Sequence, residues 1–131
     1  MRTGKTLLLA LLGAALAGCE VDQQQSKKTT VTPREVYEQR EKKDVLIVDV
    51  RTPEEFREER IKEAVNKPLD EINNWVKELP KDKKIYFVCR SGNRSAQAHR
   101  IAQREGYTNT YNMEGGMRAW KREGLPVVSG D

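Results

Sequence analysis

The residues best suited to chemistry in this sequence surround one cysteine, Cys89. It follows the apolar residues 85–88, which predict a buried strand, and it precedes a helical pattern that begins at about Ser95. Backbone N–H groups in the intervening loop and in the first helical turn lack intrahelical partners. The helix dipole adds positive potential at the same place. Together with the charges of Arg90 and Arg94, these donors would hold Cys89 as a thiolate, which is the nucleophilic form of cysteine.

The loop after Cys89 has the composition of an anion-binding site. Two arginines, two serines, a glycine and an asparagine follow the cysteine directly, namely Arg90, Ser91, Gly92, Asn93, Arg94 and Ser95. A buried structural cysteine is the alternative, since cysteine often packs as a small apolar residue. So polar a loop does not suit an apolar pocket, and we therefore predict a reactive thiol. This hypothesis requires that solvent and substrates can reach the Cys89 sulfur.

Three separate stretches of the chain resemble the rhodanese family of sulfurtransferases. They are the cysteine loop at residues 89–95, the pair of segments at residues 49–51 (Asp-Val-Arg) and 53–56 (Pro-Glu-Glu-Phe), and the glycine-containing segment at residues 112–120. Together the matches span roughly residues 32–127. The chain departs from the family pattern at residues 59–61, where Glu-Arg-Ile stands in place of the common Gly-His-Ile.

This resemblance implies a sulfur transfer reaction at Cys89. The thiolate would take the outer sulfur of a small anionic donor such as thiosulfate, and the resulting persulfide would pass it to cyanide or to a thiol. The amides of residues 90–94 and the hydroxyls of Ser91 and Ser95 would hold the persulfide. Arg90 and Arg94 would hold the donor. Because the protein's own sulfur carries the transferred atom, the resemblance implies no metal and no organic cofactor.

Two other functions remain open from these residues. A persulfide carrier, which receives sulfur from a partner and turns over thiosulfate slowly, would use the same loop. Cysteine phosphatases and arsenate reductases instead use a Cys-x5-Arg loop that wraps a tetrahedral oxyanion. In this chain Arg94 arrives one residue too early for that pattern. The shorter loop suits a single sulfur atom better than a phosphate group.

Asp49 and Arg51 follow an apolar strand at residues 45–48, at the edge of a parallel sheet where ligand sites collect. We interpret them as a supporting salt bridge that fixes the turn, with Arg51 not contacting the substrate. His99 is the only histidine, and its distance along the helix from Cys89 favours a surface or packing role. Without a second histidine, neither a Cys-His-Asp triad nor a metal site is expected.

Strands and helices alternate along residues 32–128, which predicts an α/β fold. We expect a rhodanese-like domain with a central, mostly parallel five-stranded sheet and helices on both faces. Thr32 and Thr52 each begin a capping-box sequence before a predicted helix. Asp70 is expected to cap the helix that follows. The glycine pair at residues 115–116 predicts a tight turn close to the cysteine loop.

The first segment has the features of a bacterial lipoprotein signal peptide. Arg2 and Lys5 precede an apolar run at residues 7–17 that is too short to span a bilayer, and Cys19 follows a Leu-Ala-Gly sequence that resembles a lipobox. A lipid on Cys19 would anchor the protein at the bacterial cell envelope, facing the periplasm, on the outer membrane in a Gram-negative source. We therefore predict a signal peptide at residues 1–18, a flexible tether at residues 19–31 and the rhodanese-like domain at residues 32–128.

The charge and length of the chain limit its partners. The 131 residues include 24 basic and 20 acidic side chains. Loss of Arg2 and Lys5 with the signal peptide would leave 22 basic side chains, so the net charge would fall from +4 to +2. So small a charge does not predict nucleic-acid binding. The length is that of one domain, which we expect to be a monomer.

Lipidation would also leave Cys89 as the only free thiol of the mature chain. In an oxidising cell envelope, an unpaired thiol is prone to oxidation or capture. A functional role for Cys89 is therefore favoured by its isolation as well as by its loop.

Overall fold

The computed structural model describes residues 28–131. The predicted signal peptide, the predicted lipidation site Cys19 and most of the predicted tether lie outside these residues. Within the described part of the chain, no helix is both long enough and apolar enough to cross a membrane.

An all-parallel sheet forms the centre of the described residues, as the apolar strands predict. In chain order its five strands are β1 (Thr30–Val31), β2 (Val45–Asp49), β3 (Val65–Asn66), β4 (Lys84–Val88) and β5 (Thr110–Met113). In space the order is β1-β5-β4-β2-β3, so that β4 lies in the middle. This arrangement confirms the predicted α/β fold, with a sheet that is parallel throughout.

The predicted tether extends too far along the chain, because its last two residues form the first strand. The sequence pattern extends the flexible segment to residue 31, but Thr30 and Val31 pair with Asn112 and Met113 of β5. Val31 is also buried in the core. Two residues are too short a stretch to show a strand period. Pairing with a distant strand therefore decides their conformation, and the tether that remains predicted ends before β1.

Helices cover both faces of the sheet, as expected. They are α1 (Pro33–Gln39), α2 (Pro53–Glu58), α3 (Ile72–Trp75), α4 (Asn93–Arg104) and α5 (Gly116–Arg122). Side chains of α3 and α4 pack with Ile85 and Phe87 on one face. Side chains of α1 and α5 pack with Tyr86 and Val88 on the other face. Because successive residues of a strand face opposite sides, the continuously apolar β4 is buried on both faces.

The two predicted capping boxes are confirmed. The Thr32 side chain accepts a hydrogen bond from the Glu35 amide, and the Glu35 carboxylate accepts one from the Thr32 amide. Thr52 and Glu55 make the same reciprocal pair at the start of α2. Each pair satisfies backbone N–H groups that have no partner inside the helix. These local signals set the first residue of both helices.

The predicted cap at Asp70 is wrong. Residues Leu69–Glu71 form a 3-10 turn that includes Asp70, and no side chain caps it. A second 3-10 turn follows α3 at Val76–Glu78. Tertiary contacts set this irregular path, because the Trp75 indole is buried and donates a hydrogen bond to the Pro68 carbonyl at 2.9 Å.

The strand register collects the predicted site at one edge of the sheet. Asp49 of β2 pairs with Val88 of β4, and Phe87 of β4 pairs with Asn112 of β5. Cys89 directly follows β4, so it lies between the ends of β2 and β5. This is the carboxyl edge, where parallel sheets carry their ligand sites.

Candidate active site

Cys89 begins the loop that joins β4 to α4, and its sulfur is held by two polar groups of that loop. The Gly92 amide donates a hydrogen bond to Cys89 Sγ at 3.0 Å. Ser95 Oγ lies 3.2 Å from the same sulfur. Gly92 has a φ of 109°, a left-handed conformation that glycine adopts without strain. The Gly92 amide is a donor to the sulfur that an apolar pocket would not supply, which favours the predicted anion-binding loop over a structural cysteine.

The Cys89 side chain is much less accessible than the sequence hypothesis requires. It is 1% exposed, and it belongs to the core cluster that contains Phe87 and Ala98. Only the outer part of the loop is exposed, at Arg90 and Ser91. In this conformation the sulfur is therefore shielded from solvent.

Asn112 extends the hydrogen bonds of the sulfur to the next strand. Ser95 Oγ donates to Asn112 Oδ1 at 2.5 Å, within the range of O–H···O hydrogen bonds. Ser95 itself is fully buried. Cys89, Ser95 and Asn112 therefore form one chain that links β4, α4 and β5.

Arg94 is engaged by a partner that the sequence analysis did not identify. Its Nη1 and Nη2 donate to Glu55 Oε1 and Oε2 at 2.8 Å and 2.9 Å. This hydrogen-bonded pair lowers the pKa of Glu55 to about 2 and raises the pKa of Arg94. Glu55 Oε1 also accepts from the Thr52 amide at 3.0 Å. One carboxylate therefore caps α2 and ties α2 to the first turn of α4.

The predicted salt bridge between Asp49 and Arg51 is confirmed, and both side chains are buried. Arg51 Nη2 lies 2.7 Å from Asp49 Oδ2 and also donates to the Glu59 carbonyl at 2.7 Å. Asn66 Nδ2 donates to the Asp49 and Arg51 carbonyls at 3.0 Å each. These bonds fix the chain between β2, α2 and β3, as expected of a supporting pair.

The glycine turn before α5 lies against the cysteine loop, as predicted. The Met117 amide donates to the Cys89 carbonyl at 2.8 Å, and the Arg118 amide donates to the Arg90 carbonyl at 3.1 Å. A Cβ atom on Gly116 would lie 2.4 Å from the Cys89 carbonyl oxygen. Only glycine therefore allows α5 to approach the loop this closely.

A cavity of about 300 Å³ lies beside the loop. Most of its charged side chains already have partners, since Arg51 pairs with Asp49, and Lys121 pairs with Glu59. Within residues 28–131, Arg90 and Arg118 form no salt bridge. The lining consists of Arg51, Glu55, Glu58, Glu59, Arg90, Met117, Arg118 and Lys121. The cavity thus offers two unpaired, exposed cations next to the cysteine loop.

His99 has the predicted packing role. It is buried on α4, and its Nδ1 lies 2.8 Å from Thr110 Oγ1 of β5. The pair joins the helix to the strand on the side of α4 that continues from Ser95. The sequence analysis did not identify Glu55, Asn112 or Arg118 as site residues. No pattern close to Cys89 marks them, because each reaches the loop from another element.

The central cysteine loop at the carboxyl edge of a parallel sheet defines a rhodanese-like domain. The model of the rhodanese-like domain family matches residues 32–123, and the chain belongs to that family. It is 43% identical over 86 residues to a sulfurtransferase of Allochromatium vinosum, covering 66% of this chain and 80% of that protein.

Two further comparisons extend this result. A Bacillus subtilis protein described as a candidate sulfur carrier is 38% identical over 74 residues, which cover 56% of this chain and 40% of that protein. The crystal structure of a rhodanese-related protein from Thermoplasma volcanium has a TM-score of 0.70 and 35% identity. That match covers 76% of this chain and 97% of the other chain. These similarities support a family of proteins that transfer sulfur.

Proposed function

We propose that this protein is a sulfurtransferase that forms a persulfide on Cys89. In the first half-reaction the thiolate attacks the outer sulfur of thiosulfate, a Cys89 S–S bond forms, and sulfite leaves with the electron pair of the broken S–S bond. In the second, cyanide or a thiolate attacks the outer sulfur and releases the Cys89 thiolate. Two half-reactions through a covalent intermediate give ping-pong kinetics.

The single observation that carries this proposal is the contact of the Gly92 amide with Cys89 Sγ at 3.0 Å. A backbone N–H aimed at a sulfur stabilises negative charge on it, as in other preorganised anion sites. In this proposal the amides of residues 90–94 would receive the outer sulfur of the persulfide. Apart from the sulfur donor and the acceptor, the scheme uses only groups that the chain supplies.

The burial of Cys89 makes loop movement a step of the proposed reaction. The outer residues Arg90 and Ser91 are exposed, whereas the helix side of the loop is held by the bond between Arg94 and Glu55. The Cys89 and Arg90 carbonyls are held by the amides of Met117 and Arg118. We therefore assign the movement to Ser91 and Gly92, which lie between these bonds and the first turn of α4. Between turnovers the same burial would shield a thiol or persulfide from oxidants.

Arg94 takes a different role in this proposal from the one that the resemblance implies. Because both of its terminal nitrogens bond to Glu55, it positions the loop. Arg90 and Arg118 attract the anionic donor instead, since both line the cavity beside the loop and neither is paired within the described residues. We do not propose phosphatase chemistry, because a Cys-x5-Arg loop uses its own arginine to hold the phosphate, and Arg94 is one residue too early for that pattern and is bonded to Glu55.

A persulfide carrier is the second candidate. The buried sulfur favours it, because a shielded persulfide is suited to storage and delivery to a partner. The similarity to a candidate sulfur carrier of Bacillus subtilis supports it as well. The two candidates share the Cys89 loop and differ in turnover.

Thiocyanate production from thiosulfate and cyanide separates these functions. For a sulfurtransferase we expect sustained turnover that disappears in Cys89→Ser. For a carrier we expect a mass gain of one sulfur atom on Cys89 with negligible turnover. Neither turnover nor added sulfur on Cys89 would contradict both candidates.

We also propose that residues 1–18 direct export and that Cys19 is lipidated, so that the domain faces the periplasm at the bacterial cell envelope. The support is the apolar run and the Leu-Ala-Gly-Cys sequence. Expression in a Gram-negative host with labelled fatty acid should label the wild-type chain and should not label Cys19→Ala. A soluble, unlabelled wild-type chain would contradict the proposal.

A further inference from the structure

We propose that Asn112 is a positioning residue for Cys89, and that it acts through Ser95 by reversing a chain of hydrogen bonds when the thiol loses its proton. The inference rests on the proposed reaction of Cys89 as a thiolate. It adds a residue on β5 that does not touch the sulfur directly.

The geometry consists of two consecutive contacts. Ser95 Oγ lies 3.2 Å from Cys89 Sγ and 2.5 Å from Asn112 Oδ1. Ser95 is fully buried, so solvent does not compete at its hydroxyl. The hydroxyl is thus shared by a sulfur on one side and an amide on the other.

A serine hydroxyl has one proton, and this decides the direction of the chain. When Ser95 donates to Asn112 Oδ1, its oxygen can only accept from Cys89. When Cys89 is a thiol, its S–H proton is therefore directed at Ser95 Oγ.

Loss of the thiol proton reverses the direction of the hydrogen bonds through Ser95. A thiolate can only accept hydrogen bonds, so the Ser95 proton must turn from Asn112 to Cys89 Sγ. The Asn112 amide carries an acceptor oxygen and a donor NH2 group. Rotation of this amide presents Nδ2–H to the Ser95 oxygen. Asparagine can therefore satisfy Ser95 in both states, whereas an ionised aspartate can satisfy it only in the thiol state.

Apart from the carboxylate that Asn112→Asp introduces on β5, the ionisable groups on the elements packed around Cys89 remain the same in these variants. Arg94 interacts electrostatically with Cys89 and is bonded to Glu55, and Asp49 and Arg51 are bonded to each other. The charged groups on these elements and on the adjoining turns include Asp49, Arg51, Glu55, Arg90, Arg94, Glu114 and Arg118.

The experiment measures the rate of Cys89 alkylation by iodoacetamide as a function of pH, in folded protein. For Asn112→Asp we expect the midpoint to move upward by about one pH unit, the scale of one hydrogen bond to a charged group. For Asn112→Ala, which removes a bond from both states, we expect a shift of less than about half a unit. Ser95→Ala removes a charge-assisted bond from the thiolate and only a weak S–H bond from the thiol, so the midpoint should move upward by about one unit.

A double variant separates the hydrogen-bond chain from simple charge repulsion. In a Ser95→Ala background, Asn112→Asp should shift the midpoint by less than half of its shift in the wild type. The exposed Asn74→Asp variant controls for an added negative charge and should leave the profile unchanged. An equal Asn112→Asp shift with and without Ser95 would overturn the proposal.

The Asn112→Ala variant gives an independent test should the aspartate variant fail to fold. A midpoint shift as large as that of Ser95→Ala would overturn the proposed reversal of the hydrogen bonds. Asn112 would then stabilise the thiolate and not the thiol. Alkylation does not require sulfur transfer. Failure of this inference is therefore distinguishable from failure of the proposed function, which is judged by thiocyanate production and by added sulfur on Cys89.

Discussion

Glu55 and Arg94 form a two-fold hydrogen-bonded ion pair that joins α2 to the first turn of α4. The atoms Arg94 Nη1 and Glu55 Oε1 are 2.8 Å apart, and Arg94 Nη2 and Glu55 Oε2 are 2.9 Å apart. Charge-assisted pairs of this geometry restrict orientation as well as contributing energy. The helix side of the cysteine loop is therefore fixed to an element that follows β2.

This relationship predicts that Glu55→Gln and Arg94→Ala have similar effects. If the pair positions the loop, each variant should lower kcat for thiosulfate by about tenfold with little change in KM, because small displacements of a catalytic loop slow the reaction. Steady-state kinetics checks this. Glu54→Gln is the matched control, since Glu54 is an exposed acid on the same helix and does not line the cavity beside the loop. If Arg94 binds the donor directly, Arg94→Ala will raise KM and Glu55→Gln will not.

The same pair predicts a dependence of stability on pH. The hydrogen bonds from Arg94 lower the pKa of Glu55 from 4.5 to about 2. A carboxyl whose pKa is lower in the folded state stabilises the fold above its unfolded pKa. This contribution is lost as the pH falls from about 4.5 to about 2.

Urea unfolding of the wild type and Glu55→Gln at several pH values measures this dependence. The pair is partly exposed, so we expect a difference in the free energy of unfolding of about 1 kcal/mol at pH 7. The difference should shrink as the pH falls below 4.5 and approach zero near pH 2. A difference that stays constant across this range would show that the loss in Glu55→Gln is one of packing.

Gly116→Ala should disrupt the contact between α5 and the cysteine loop. Its Cβ would lie 2.4 Å from the Cys89 carbonyl oxygen and 2.5 Å from Arg90 backbone atoms. Gly124→Ala is the control, because Gly124 also has a positive φ but its Cβ would meet no atom within 4 Å. We expect both variants to be destabilised by the left-handed backbone, and Gly116→Ala by a further 1–3 kcal/mol or so. Thermal unfolding with equal losses would contradict the clash.

Arg118→Ala should weaken the use of an anionic donor. Arg118 is exposed at the rim of the cavity beside the loop, where its charge would attract thiosulfate. We expect KM for thiosulfate to rise about threefold to tenfold, and the effect to diminish at high salt. Arg104→Ala, which removes an exposed arginine from the far end of α4, should leave KM unchanged. Equal effects of both variants would indicate a general loss of positive charge.

Much of the fold was predictable from short stretches of sequence. Thr32 and Thr52 mark the starts of α1 and α2 because a capping box is completed within four residues. The apolar run of β4 predicts a strand that is buried on both faces. Cys89 and its loop could be assigned from their residue types because strand, loop and helix follow each other directly.

The wrong or missing predictions concern contacts between distant elements. Asp70 does not cap a helix because the burial of Trp75 and its bond to Pro68 set the local path. β1 exists because Thr30 and Val31 pair with β5, which lies about eighty residues further along the chain. No pattern near these residues in the sequence predicts the residues that they contact.

The sequence by itself determined the cysteine, the polar loop that surrounds it and the alternation of strands and helices, because each depends on residues that are neighbours in the chain. Only the tertiary structure decided that Arg94 bonds to Glu55, that Ser95 contacts Asn112 and that the Cys89 sulfur is buried. The physical reason is that the register of β2, β4 and β5 brings these side chains together. Hydrogen bonds and burial at the site depend on that register as well as on residue type.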